Sequence, residues 1–380
     1  MSSAMQPLET GRAWAEVDLG AVSYNASALR SVLPDGCELM AVVKADAYGH
    51  GAVKTASLLQ REGVSSFAVA TVGEGLALRE SGVNGEILVL GYTHPQDAGL
   101  LHTHSLTQLA VDGAYAKALD NTGSKLNVHI AIDTGMHRLG IEYPNISEME
   151  NVYTCRNLTV TGVASHLASS DSLLPDDTEF TKLQIDRFFD VINLLKGKGY
   201  EVGKRHIQAS YGLLNYPDIA CDYVRTGIAL YGVKSNNSGV KVKLELKPAL
   251  SLKARVAEVR QINAGESVSY GRTYIAEKPL TLATVCIGYA DGVPRQLSGN
   301  NGVCLVRGKT VPIIGRICMD LLMLDVSDVD SASPGDVVTL IGSDGNATVR
   351  CEDFAEASGT ITNDILCRLG SRLPRVYIDS

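Results

Sequence analysis

Several things are scarce in this chain, and each scarcity excludes something. No run of about 18 apolar residues is present to cross a bilayer, and the opening MSSAMQPLET has neither the basic start nor the apolar stretch of a secretory leader. The eight cysteines, at 37, 155, 221, 286, 304, 318, 351 and 367, form no C-x-x-C pair. That scatter fits the reduced thiols of a cytoplasmic protein better than a disulfide framework or a zinc site. His102 and His104 lack a third ligand at useful spacing and read as a solvated helix end. Positive charge is in deficit, with 34 Lys and Arg against 42 Asp and Glu and a net charge of -8. Nothing offers a cationic footprint to nucleic acid or to an anionic membrane surface, so small solutes are the expected ligands.

Motifs that bind phosphate are also missing. GEGLALRESG (73–82) falls short of a dinucleotide fingerprint because Leu78 stands where the third glycine belongs. VCLVRGKT ends like a phosphate loop, yet Val303 occupies the first glycine position and the stretch alternates like a strand pair.

What is present is an ordinary globular composition, 45% hydrophobic and 20% charged, over 380 residues. That length suits one large α/β barrel with an appendage, or two domains. Eight β-prone runs alternate with helical spacing: 41–45, 67–72, 86–92, 105–111, 126–133, 158–166, 206–210 and 223–233. The count predicts a (β/α)8 TIM-type barrel, whose chemistry sits at the carboxyl ends of the strands. Lys44, Asp133, His166, Ser210 and Arg225 stand there. After about residue 245 the pattern becomes strict alternation, which predicts a mostly β C-terminal domain. WAEVDL (14–19) alternates in the same way. The expected division is an N-terminal strand within 1–20 that pairs with the C-terminal domain, a barrel over 21–245, and a β domain over 246–380.

Six segments carry a resemblance: AVVKADAYGHG (41–51), DTGMHRLG (133–140), VRTGIALYG (224–232), VSYGRTY (268–274), IGYADG (287–292) and GRICMD (315–320). Together, and in this order, they resemble the alanine racemase family. The resemblance implies a barrel that binds pyridoxal 5'-phosphate and a homodimer in which each site borrows residues from the other chain. Lys44 would join the cofactor aldehyde. Tyr48, Ser210 and the amides of Ser210, Gly227 and Ile228 would hold its phosphate. Arg225 would face the pyridine nitrogen, and because a guanidinium never accepts a proton, the ring nitrogen would stay unprotonated. Inversion needs acid/base groups on both faces, and Lys44 and Tyr270 of the partner subunit match the family's pair. His166 is expected to supply positive charge that helps the phenol ionise. Arg138 and the Met319 amide match groups on the substrate carboxylate, and Tyr289 and Asp320 match residues of the entry region.

Two positions depart from the family. Ala131 stands where a carbamylated lysine commonly braces the arginine, so Arg138 needs another anionic partner, such as a bound chloride. Asn363, in TITNDILCRLGSRLPRVY (360–377), stands where a tyrosine usually walls the substrate. The lost ring leaves room, and the amide gives a hydroxymethyl group a donor and an acceptor, so serine is an expected substrate beside alanine. This tail resembles the racemase domains of membrane-bound serine racemases of vancomycin resistance. On that reading the chain is a cytoplasmic catalytic part preceded by a membrane portion, making D-amino acids for cell-wall precursors. A decarboxylase on a related scaffold should present a carboxylate where Arg225 stands, and a non-catalytic cofactor carrier has no need of Tyr270 or the β domain.

Overall fold

The structure, a computed structural model, describes residues 10–235 and 239–379. Strand β1 (Ala13–Asp18) is followed by a helix, Leu19–Arg30, whose first turn is capped by the Asp18 side chain accepting from Ala21 N at 3.0 Å. Eight parallel strands then form one sheet: β2 (Glu38–Val42), β3 (Ser66–Val69), β4 (Glu86–Val89), β5 (Thr107–Ala110), β6 (Leu126–Asp133), β7 (Leu158–Ala164), β8 (Lys204–His206) and β9 (Tyr223–Thr226). They pair in the order β9-β2-β3-β4-β5-β6-β7-β8. A bridge between Ala209 and Arg225, with Arg225 N donating to Gln208 O at 3.1 Å, brings the last strand back to the first. This is the eight-stranded α/β barrel that the alternation predicted.

Apart from β6, the strands stop short of the apolar runs at their carboxyl ends, and that difference builds the site. The 206–210 run is strand only to His206, and Ser210 already opens a helix, Ser210–Asn215. The 223–233 run stops at Thr226, because Gly227 bends the backbone into a short 3-10 turn, Ile228–Tyr231. Apolar residues there continue into packed loops instead of extending the sheet.

The rest of the chain is mostly β. Strand β10 (Leu250–Ile262) pairs with β11 (Leu280–Val285), and β12 (Val303–Val306), β13 (Lys309–Ile314), β14 (Leu322–Asp325) and β15 (Val337–Asp344) complete a ring. The ring closes because β15 pairs with β12 on one side and β10 on the other. β1 lies antiparallel against β10, from Ala13 opposite Ala254 to Val17 opposite Leu250, and beside it runs β16 (Arg375–Ile378) in parallel. The Gly308-Lys309 segment is a hairpin, with Arg307 and Gly308 at φ 50° and 75° joining β12 to β13.

Candidate active site

Val43 carries the chain out of β2 to Lys44, and the next four residues do something rare. Ala45, Asp46, Ala47 and Tyr48 all adopt left-handed helical geometry, with φ of 52° to 54°. For residues with a Cβ this costs roughly 1–2 kcal/mol each, so the surroundings must hold the turn. His50 Nδ1 lies 2.9 Å from Ala47 O and 3.0 Å from Tyr48 O, and its ring stacks on Tyr231 at 4.4 Å. Glu74 accepts from Ala45 N at 2.7 Å, and Asp46 accepts from Ala52 N at 2.8 Å. The turn leaves Lys44 half-buried at the rim and folds Tyr48 inward.

A cavity of about 470 Å³ opens there. Lys44, Tyr48, Arg138 and His166 line it, as do Ser210, Arg225, Gly227, Ile228 and Asn363. Burial, then the positive charges of Arg138 and Arg225, hold the Lys44 amine below its ordinary value. Lowered basicity favours the imine chemistry and proton transfer asked of such an amine.

Arg225 is fully buried, and its guanidinium is lowered to about 10 by that burial. Nη1 donates to His206 O at 3.0 Å and meets His206 Nδ1 at 2.5 Å. Nη2 donates to Ser165 O at 2.7 Å and to Ile207 O at 3.3 Å, and it meets His166 Nδ1 at 3.1 Å. Nε has no partner among the described residues and remains a donor.

The charge expected on His166 is absent. Burial first, then Arg225, push the imidazole down to about 3, and its Nδ1 can only accept from the guanidinium. His166 is therefore neutral with its proton on Nε2, and offers a hydrogen bond where a positive charge was expected.

Ser210 Oγ accepts from Gly227 N at 3.1 Å and Ala229 N at 3.3 Å, while the amides of Ser210 and Ile228 have no partner among the described residues. A Cβ on Gly227 would come within 2.5 Å of Tyr48 Oη, so this loop can approach the tyrosine only as glycine. Arg138 is exposed on its loop, and no carboxylate pairs with it among the described residues; Asp133 turns instead to His137 at 3.1 Å. Ala131 contributes only a methyl to the wall. Asn363 Oδ1 is buried with no hydrogen-bond partner.

Tyr270, Tyr289, Met319 and Asp320 do not line this cavity. Tyr270 is 68% exposed on a turn whose residues Ser269, Gly271 and Arg272 have φ of 64°, 71° and 50°. With Tyr289 it borders a separate cleft of about 550 Å³ on the β domain. Met319 is half exposed, and Asp320 accepts from Arg372 Nη2 at 2.6 Å.

The family profiles for the alanine racemase N-terminal and C-terminal domains match residues 17–235 and 249–377. The chain belongs to the alanine racemase family. It is 41% identical to an alanine racemase of Carboxydothermus hydrogenoformans over 96% of this chain and 99% of that protein. It is 40% identical to a serine/alanine racemase of Enterococcus gallinarum over 95% of this chain, but spans only 51% of that protein's length. An alanine racemase structure from Bartonella henselae, described with covalently bound pyridoxal phosphate, superposes with a TM-score of 0.85 at 31% identity, over 97% of this chain and 100% of that one. No helix among the described residues is long and apolar enough to cross a membrane.

Some members of the racemase site escape sequence reasoning. Asp171 and Met136 line the cavity. Arg372, which holds Asp320, comes from the C-terminal tail, 52 residues away. His206 and His129 are buried behind Arg225, and the signal that could have found them is an imidazole in the middle of an apolar strand run.

Proposed function

We propose that this chain is a pyridoxal 5'-phosphate-dependent racemase that interconverts the L and D forms of serine and alanine. The observation that carries the reading is the guanidinium of Arg225 deep in the cavity, with a free Nε donor and no carboxylate beside it. The donor set fits the cofactor: an amine of lowered basicity at Lys44, unpartnered amides at Ser210 and Ile228, and a glycine at 227 that keeps the Tyr48 side open. When bound, pyridoxal phosphate acidifies the α-hydrogen of an amino acid joined to it. Lys44 takes or returns that proton on one face, and Tyr270 of the partner subunit does so on the other. The neutral His166 orients the phenol by hydrogen bonding. Arg225 would hold the ring nitrogen of the bound cofactor as a donor that does not give up its proton, which would disfavour transamination.

Arg138 and the Met319 amide hold the substrate carboxylate, the latter from the second subunit with Tyr289 and Asp320 at the entrance. With no carboxylate paired to it among the described residues, Arg138 would be braced by a bound anion such as chloride. Serine is favoured by the unpartnered Asn363 Oδ1, which a hydroxymethyl group can satisfy and a methyl cannot. We take residues 21–245 as the cofactor-binding barrel, residues 246–380 as the β domain and the strand within 1–20 as part of the latter. We place the enzyme in the cytoplasm, supplying D-amino acids for cell-wall precursors as the catalytic part of a membrane-anchored resistance racemase. The relatives named alanine racemase favour a second reading, a dedicated alanine enzyme.

Racemisation followed by circular dichroism, with added cofactor and each amino acid, tests both readings. Conversion of serine and alanine supports the first; conversion of alanine alone supports the second. Full-rate conversion by Lys44→Ala or Tyr270→Phe protein would remove the two-base assignment.

A further inference from the structure

Among the described residues the hydrogen-bond partners of Arg225 are carbonyls and two imidazoles, and one of those imidazoles begins a chain. Arg225 has no acceptor atoms, so His206 Nδ1, 2.5 Å from Nη1, must accept, and the His206 proton sits on Nε2. His206 Nε2 lies 2.8 Å from His129 Nδ1, which must accept in turn. The His129 proton therefore sits on Nε2, 3.1 Å from Glu86 Oε1, a polar contact off the axis of an aligned hydrogen bond. The other Glu86 oxygen accepts from Tyr223 Oη at 2.8 Å. Burial works to raise the Glu86 carboxyl, and His129, Tyr223 and Thr107 outweigh it, so Glu86 is held below its usual value as a carboxylate.

The fold makes room for this chain of contacts. The register between β6 and β7 slips between Val128 and His129, and the residue facing His129 is Gly162. A Cβ at Gly162 would come within 2.6 Å of His129 Nε2. A bulge and a glycine together admit a ring that an apolar side chain could have replaced. His129 and His206 are both fully buried, and neither they nor Glu86 line the cavity, so none of them touches substrate.

We propose that Glu86, His129 and His206 are positioning residues that form a relay with a single direction of donation, which orients the Arg225 guanidinium and keeps its Nε turned to the cavity. The functional part rests on reading Arg225 as the partner of the cofactor's ring nitrogen; the tautomers do not. A positive charge in the barrel interior is thereby answered by a carboxylate at the far end of the strands, through two neutral rings whose protons have one allowed placement each. The Arg225 side chain is then preset as a donor before anything binds.

Nitrogen-15 spectra of histidine-labelled protein, cofactor-free and cofactor-loaded, read the tautomers directly. In the wild type His129 and His206 should each carry their proton on Nε2 only. Glu86→Gln removes the charge and should leave both tautomers as they are, since Arg225 dictates them and the amide can turn its carbonyl to His129; it should shift the visible band of the bound cofactor and lower kcat about 10- to 100-fold with KM little changed. His129→Leu keeps volume but breaks the relay and should behave like Glu86→Gln. His129→Asn keeps one acceptor and one donor and should recover most of the rate.

A proton on Nδ1 of either ring in the wild type, or a lower rate of Glu86→Gln with an unmoved cofactor band, would overturn the proposal and leave a merely structural role. If His129→Leu does not fold, Glu86→Gln decides alone. A wild-type protein that binds no cofactor would defeat the proposed function, while the tautomers of the unloaded protein would still decide the relay.

Discussion

Replacing Asn363 by leucine should make the cofactor-free protein more stable and its serine chemistry worse, both through one atom. Asn363 is the second residue of the helix Thr362–Cys367, and its Oδ1 is buried without a donor. An unmet buried acceptor costs about 1–3 kcal/mol, and leucine has nearly the same shape without the polar atom. In the cofactor-free variant that cost disappears. A gain of 1 kcal/mol moves the thermal midpoint by about 2–4 °C in chains of 150–250 residues and by somewhat less at this length.

The opposite holds once serine is bound. If its hydroxyl donates to Oδ1, the leucine variant loses that contact, and about 1–3 kcal/mol corresponds to a drop of roughly 5- to 150-fold in the serine-to-alanine ratio of kcat/KM. Alanine brings only a methyl and should be little affected. Thermal unfolding of the unloaded protein and dichroism-monitored racemisation of both substrates measure the two effects. A lower midpoint would show that Oδ1 was already satisfied. An unchanged ratio would show that the amide does not meet the substrate, and Asn363→Tyr, which should shift turnover toward alanine, would be expected to fail with it.

Gly227→Ala should weaken cofactor binding about tenfold or more in a fluorescence titration, since its Cβ meets Tyr48 Oη at 2.5 Å, and adding Tyr48→Phe should restore part of the loss because the next atom is 3.1 Å away. Ala45→Gly, at an exposed position with φ 52°, should stabilise the unloaded protein by about 0.5–1 kcal/mol in denaturant titration. His50, His166 and His206 are all held neutral by burial, to about 4, to about 3 and well below the usual value. Their folded pKa values are depressed, so their contribution is whole above the unfolded value of about 6.5 and is lost as pH falls from there toward about 4. Unfolding in that window should take up about three protons through these rings, and His50→Asn should lower the pH slope of stability by about one of them.

Much of the site was legible because motif residues sit next to strand ends. Lys44 and His166 follow strands and Arg225 sits next to the end of one, and a barrel delivers such positions to one rim. The barrel itself could be read from eight alternations, but strand ends could not, since Ser210 and Gly227 break the strands for local reasons that apolar content hides. The charge state of His166 was misread for a similar reason. A sequence shows an imidazole, whereas its protonation depends on burial and on a guanidinium 59 residues away. The relay behind Arg225 was the least accessible, for its two rings meet across 77 residues of chain.

On the proposed two-base reading one chain supplies a proton-transfer group on only one face, and this can be tested by mixing. Lys44 has its basicity lowered within the cavity, but Tyr48 is pushed up by burial and His166 is pinned as a neutral donor. Tyr270, meanwhile, stands 68% exposed on a turn where Ser269 and Arg272 hold positive φ, outside the cavity of its own chain. Two-fold association would turn the tyrosine of each chain to the cavity of the other. Lys44→Ala and Tyr270→Phe proteins, each inactive, should therefore regain activity when unfolded and refolded together. In a mixed dimer one site loses both groups and the other keeps both. Random pairing places half of the dimers in that mixed form, so about one quarter of the wild-type rate per chain should return. If both groups came from a single chain, the mixed dimer would contain no intact site and the mixture would stay silent.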